Sequence, residues 1–228
     1  MDGISILALH GYHGSAQALR RQIAPLAGAL PSHVELAFID APSLARGDFG
    51  WWHEGFTGWE ATRDWVADLV ARRPFDGVIG FSQGAALAGL LLATQEAAGD
   101  GDAHPGTLGS GSGSGSGSGF GFGFGFGVMI GGFTSDKLGH TALFRRKLAT
   151  PSLHVTGSAD GIVPMRDSLR LAERFADPVI VKHDGGHVIP STPQALARIV
   201  EFVEQRGRPA SGDQVATPSA ARFHGPRG

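Results

Sequence analysis

Short apolar runs alternate along this chain with stretches in which apolar residues recur every three or four positions. Ile4–Leu9 is a mainly apolar run that stops at His10-Gly11. Ala18, Leu19, Ile23, Leu26, Ala27 and Leu30 then follow at helical spacing, with Ser15 in place as an N-cap. Val34–Ile39 reads as a second strand, and Thr62, Trp65, Val66, Leu69 and Val70 form a second helical stripe. Phe75–Phe81 is a third strand and Ala85–Thr94 a strongly apolar helix. Phe126–Phe133, Leu153–Gly157 and Val179–His183 are further strands. Pro164 suits the first turn of a helix through Phe175. Thr192-Pro193 opens a final helix with Ala195, Ile199, Phe202 and Val203 on one face. About six strands alternating with helices predict an α/β fold, a mainly parallel sheet with helices on both faces.

The alternation breaks once. Residues 109–127 read as five Gly-Ser pairs, four Gly-Phe pairs and Gly127, and they hold much of a glycine excess of 36 in 228 residues. Ser110–Ser118 has no apolar surface to bury and reads as flexible coil. Phe120, Phe122, Phe124 and Phe126 alternate as a strand face would, but their glycine partners weaken a strand. A strand-like extension and a floppy insert are both open. The expected organisation is one domain over residues 1–207, with a low-complexity insert at about 99–125, and a disordered tail over 208–228.

Charge and composition narrow the function. Nineteen basic residues face 21 acidic ones, a net of −2, which provides no electrostatic footprint for nucleic acid or an anionic membrane. Without Cys there is no disulfide framework, thiolate metal site or cysteine nucleophile. The start Met1-Asp2-Gly3-Ile4 is acidic, and its apolar run is too short for a signal peptide. The longest apolar stretch, Gly84 to Ala93, is about half a membrane span. A soluble, cytoplasmic protein is expected.

Gly80-Phe81-Ser82-Gln83-Gly84 matches G-x-S-x-G between the apolar strand Val78-Ile79 and the apolar helix from Ala85. A sharp strand-to-helix turn leaves no room for side chains at the flanking positions and presents the serine hydroxyl at the carboxyl edge of the sheet. Such a serine needs a base, and the base needs an orienting acid, in chain order Ser, acid, His. Asp160 follows the strand Leu153–Gly157, and His187 follows Val179–His183 in a Gly-Gly loop that can reach inward. Asp167 falls in a helix at a surface-like position, Asp184 is too close to His187 in sequence, and His183 ends a strand. Ser82, Asp160 and His187 are therefore the expected catalytic set. His183-x-x-x-His187 has metal-pair spacing only on a helix, which Gly185-Gly186 disfavours; no metal or cofactor is expected.

Acyl transfer also needs donors where the carbonyl oxygen becomes negative. The backbone N–H groups of Gln83 and of Tyr12, in the loop after the first strand, are the expected oxyanion hole. His10 and His13 read as loop histidines satisfied by backbone or water. Three of four Trp fall in the segment 51–59, where Trp51 and Trp52 are candidate substrate contacts; ordinary core packing is an equal alternative.

Taken together, Leu9-His10-Gly11-Tyr12, Asp40-Ala41-Pro42, Trp51-Trp52, the stretch Pro74 to Ala86, Val128 to Phe133, Leu153 to Gly157 and His183 to Pro190 resemble the FSH family of small serine hydrolases. The resemblance covers about residues 3–205 apart from the insert. It implies an α/β-hydrolase fold without a large lid, acting on small-molecule carboxylic esters or thioesters through Ser82, Asp160 and His187. A non-catalytic hydrolase-fold binding module is the alternative, and an interaction protein working through the Gly-rich tract a third. The oligomeric state is left open.

Overall fold

Side chains of β1 (Ile4–Leu9) divide between two cores. Ile6 and Ala8 join one buried cluster and Leu7 and Leu9 the other, as the two-residue period of a strand covered on both faces requires. The computed structural model describes residues 3–42, 50–99 and 121–206. With β2 (Val34–Ile39), β3 (Gly77–Phe81), β4 (Phe126–Ile130), β5 (Ser152–Gly157) and β6 (Val179–His183) it forms one sheet in the order β2-β1-β3-β4-β5-β6. Every pairing is parallel. The expected α/β architecture is the one observed.

One face carries α1 (Ala16–Gln22), α2 (Ala24–Ala29) and α7 (Pro193–Arg206), whose Leu19, Ile23, Leu26, Ile199 and Phe202 pack on Ile79, Val128 and Val155. The other carries α3 (Trp59–Arg72), α4 (Gln83–Gly99), α5 (Leu138–Leu143) and α6 (Met165–Ala172), packed on Leu7, Val78 and Met129. Ser15 caps α1 as expected, its Oγ accepting from Ala18 N–H at 3.1 Å. The single helical stripe 18–30 breaks at Ile23, because Pro25 sits in the first turn of α2 and cannot donate into a continuous helix. The six-residue α5 has too few periodic apolar positions to announce itself. No helix among the described residues is long and apolar enough to cross a membrane.

Of the two readings left open for the low-complexity segment, the part that is described favours the strand-like one. Helix α4 runs on to Gly99, and residues 121–125 lead directly into β4. Phe122 and Phe124 are each 2 % exposed, with parallel rings 5.9 Å apart. The Gln95 side chain imitates a strand neighbour: its Oε1 accepts from Phe124 N–H and its Nε2 donates to Phe124 O, both at 3.0 Å. The glycines between carry no competing side chains, so one face of an irregular segment closes the core over α4. Ser110–Ser118 and the tail 208–228 lie outside the described residues.

Two outcomes follow. Phe124→Ala should cost about 3–5 kcal/mol in urea unfolding, as for a buried aromatic; a loss below about 1 kcal/mol would mean the segment is not core. The second concerns His154, buried on β5 beside Ser152 Oγ and the Phe175 ring and pushed down to about 3 by burial. Below the ordinary histidine range the unfolded chain takes a proton that the folded chain refuses, so stability falls as pH drops from about 6.5 toward 3. His154→Leu should flatten the slope of unfolding free energy against pH between 5.5 and 4 by about 1.4 kcal/mol per pH unit, one proton's worth. An unchanged slope would show that His154 does not carry this linkage.

Candidate active site

The sheet order reverses direction at β1. The loop after β1 leads to α1 on one face, while the turn after β3 leads to α4 on the other. A crevice therefore opens between them at the carboxyl edge, where sites in parallel sheets form.

At β3 the strand becomes helix α4 within a single residue. Ser82 takes φ 56°, a left-handed conformation that a side chain rarely adopts. Ser82 N–H donates to Ile130 O at 2.9 Å, tying the turn to β4, and Ser82 O accepts from Ala85 and Ala86 N–H, starting the helix. The flanking glycines are required by close approach: a Cβ at Gly84 would overlap Leu9 O and His10 O, and one at Gly80 would overlap Gly84 O. The elbow expected from G-x-S-x-G is thus formed.

Asp160 and His187 meet after β5 and β6. His187 Nδ1 lies 2.7 Å from Asp160 Oδ2, while Asp160 Oδ1 accepts from Ile162 N–H at 2.9 Å and Val163 N–H at 2.8 Å. Burial would raise the Asp160 carboxyl, but these bonds from His187, Val163 and Ile162 outweigh it and hold the group below its ordinary value. An ionised carboxylate only accepts, so Nδ1 of His187 donates, and the neutral ring carries its lone pair on Nε2. The ring rests against Phe81 beside the elbow, centroids 4.9 Å apart.

The competing groups are used otherwise. His183 accepts Gly185 N–H on Nδ1 at 3.1 Å, bracing the loop that carries His187, and burial lowers its pKa despite Asp160 and Asp184. Asp167 sits on α6 within 3.7 Å of Arg166 and 3.5 Å of Arg170. His10 is buried, bonded to Gly11 O through Nδ1 at 2.8 Å and accepting Ala41 N–H on Nε2 at 3.1 Å. Desolvation lowers its pKa, and both ring nitrogens are satisfied as a neutral ring. Among the described residues no group of three or more His, Asp or Glu is arranged to hold a metal.

Gly11 brings the β1 loop against Ser82: a Cβ there would stand 3.2 Å from Ser82 Cβ. The N–H groups in question are those of Tyr12, next to Gly11 in the β1 loop, and of Gln83, the first residue of α4. These are the two sequence-expected oxyanion donors, and a helix's first N–H groups lack intrahelical partners.

A cleft of about 740 Å³ opens over Ser82 and Gln83. Tyr12, Trp52, Phe56 and Phe133 line it together with Ile162 and Val163, and Glu54, Asp136 and Arg170 add charge. The two tryptophans part company here. Both are buried in one core cluster, but Trp52, 6 % exposed, lines the cleft, whereas Trp51, 1 % exposed, does not reach it. Sequence reasoning missed Phe133 and Ile162. The signal was available for Ile162, a large apolar residue two positions after Asp160, left 73 % exposed at the mouth.

Comparison with known proteins identifies the family and the fold. Residues 2–199 match the family described as Serine hydrolase (FSH1). The human protein Esterase OVCA2 is 28 % identical over 237 residues, covering 89 % of this chain and 96 % of that one. Esterase AAEL000016 of Aedes aegypti is 28 % identical over 229 residues, covering 89 % of this chain and 76 % of that one. Among solved structures, Zea mays acyl-protein thioesterase 2 superposes with a TM-score of 0.59 at 21 % identity, over 90 % of this chain and 94 % of that one. The Bacillus cereus carboxylesterase gives 0.60 at 17 % identity, over 90 % and 89 %. These two likenesses show the α/β-hydrolase fold. By its match over nearly the whole described region, the chain belongs to the serine hydrolase (FSH1) family and is a hydrolase.

Proposed function

We propose that this protein cleaves carboxylic esters or thioesters through a Ser82–His187–Asp160 triad and an acyl-enzyme. At the coarser level the chain is an ester-bond hydrolase, on its family and on relatives that are esterases over most of their length. The finer reading rests on one observation above all: a strained serine at a strand-to-helix turn shares its sheet edge with a His–carboxylate pair at 2.7 Å. Ser82 Oγ attacks the acyl carbon as His187 Nε2 takes its proton. The N–H groups of Tyr12 and Gln83 stabilise the oxyanion. Collapse expels the alkoxide or thiolate, which recovers that proton from His187. Water then attacks the acyl-enzyme, gives its proton to His187, and leaves as part of the carboxylic acid while Ser82 is restored. Serine, imidazole and water supply every step, so no cofactor enters.

The apolar wall of Trp52, Phe56, Phe133 and Ile162 suits an acyl chain, and the substrate is a small acyl ester or thioester. A cytoplasmic setting belongs to the same proposal, in keeping with a chain that has no Cys.

A fluorophosphonate probe should label the wild type and not Ser82→Ala, and a p-nitrophenyl ester series should then size the cleft. Folded wild type without labelling would remove the catalytic reading in favour of a binding module, and labelling of Ser82→Ala would place the reactive serine elsewhere. Asp160→Asn should lower kcat/KM by about 10³- to 10⁴-fold, because the amide no longer holds His187 with Nδ1 protonated. A drop under about tenfold would remove Asp160 from the triad.

A further inference from the structure

The proposed oxyanion hole is assembled from two separate segments. Tyr12 lies in the loop after β1 and Gln83 at the start of α4, with most of the first half of the domain between them in sequence. Donors of this kind act only within about 2.7–3.1 Å of the developing charge, so the two segments must be held in register.

One buried residue bonds to both. The indole N–H of Trp51 donates to His10 O at 2.7 Å, two residues before Tyr12. Its backbone N–H donates to the Gln83 side-chain Oε1 at 2.8 Å, and Gln83 Nε2 returns a bond to Trp52 O at 3.1 Å. Gln83 is 6 % exposed, so this amide is withdrawn from water although its residue lines the cleft. Trp51 is itself anchored, its carbonyl accepting from Thr62 Oγ1 at 2.5 Å and its ring lying 4.8 Å from the His10 ring. The preceding residue threads between the two half-sites: a Cβ on Gly50 would stand 2.8 Å from both Gln83 Oε1 and Tyr12 Cδ2. A substrate wall would need no such bonds, and Trp51 does not reach the cleft.

We propose that Trp51 is a positioning residue that clamps the Tyr12 and Gln83 halves of the oxyanion hole together, with the Gln83 side-chain amide as its partner on the elbow. The inference rests on the ester-hydrolysis reading above. It replaces the expectation that Trp51 contacts substrate, while Trp52 keeps that place. The clamp acts on the tetrahedral intermediate and the transition states that flank it, because the oxyanion is absent from the bound ester.

Trp51→Phe removes the indole donor and keeps an aromatic ring against His10; Gln83→Met removes the amide at similar length. Both are made in the full chain. Rates on a p-nitrophenyl ester are normalised to active sites titrated with a fluorophosphonate, and affinity is measured for an alkylboronic acid, which adds Ser82 Oγ to form a tetrahedral anion. In each variant kcat per titrated site should fall roughly ten- to a hundredfold, with KM within about threefold. Boronic acid affinity should fall in step with kcat/KM. Unchanged kcat and boronic acid affinity in both folded variants would overturn the clamp. So would a loss that vanishes on normalisation, which would mean only fewer folded molecules, or a raised KM at unchanged kcat, which would restore Trp51 as a substrate contact. Should Trp51→Phe fail to fold, Gln83→Met decides by the same readings. Wild type that neither hydrolyses nor labels would instead fail the underlying reading, which the wild-type arm measures separately.

Discussion

The backbone of Ser82, held at φ 56°, is the constraint from which the rest of the site follows. A non-glycine residue in this region costs about 1–3 kcal/mol and persists only where its surroundings over-determine it. Here they do: β4 receives its N–H, the first turn of α4 uses its carbonyl, and the helix behind is buried along most of its length. The strain is thus maintained by ordinary packing distant from the chemistry. In return the chain turns so abruptly that Ser82 and the leading N–H groups of α4 share one edge, where a helix N-terminus favours negative charge.

That edge also explains why the acid and the imidazole stand where they do. Strands β5 and β6 are parallel neighbours, with Gly157 opposite His183, so the loops that follow them emerge side by side. Asp160 is then fastened by two N–H groups of its own loop before it meets His187. A carboxylate stabilised this way stays ionised despite burial, and one of its oxygens remains for the ring. The imidazole is oriented by a partner that cannot itself rotate.

Strand and helix order, the elbow, and the acid and histidine loops were legible because each depends on local signals: apolar periodicity, paired glycines and strand ends. What escaped depends on long-range contact. Phe122 and Phe124 alternate as a strand face would, but glycine partners left a strand and a floppy insert equally open; Gln95 on α4, a residue with no signal of its own, holds the segment in place. The helix break at Ile23 was signalled by Pro25, but α5 was not signalled at all. At the cleft, Ile162 lies in the loop after β5, and Phe133, read as the end of a strand, falls beyond β4, which stops at Ile130.

Trp51 and Trp52 show how one dipeptide serves both core and cleft. Composition could not separate the two uses, since a pocket wall and a core are equally apolar. Polar satisfaction separates them. A buried indole N–H needs an acceptor, and a carbonyl of the β1 loop supplies it for Trp51. The neighbouring Trp52 is buried in that same core, yet it reaches the edge of the cleft, where it stacks on Phe56 with centroids 4.9 Å apart. The residue that joins the β1 loop to the elbow thus stands directly beside one that lines the cleft, and core and cleft wall share one packed cluster.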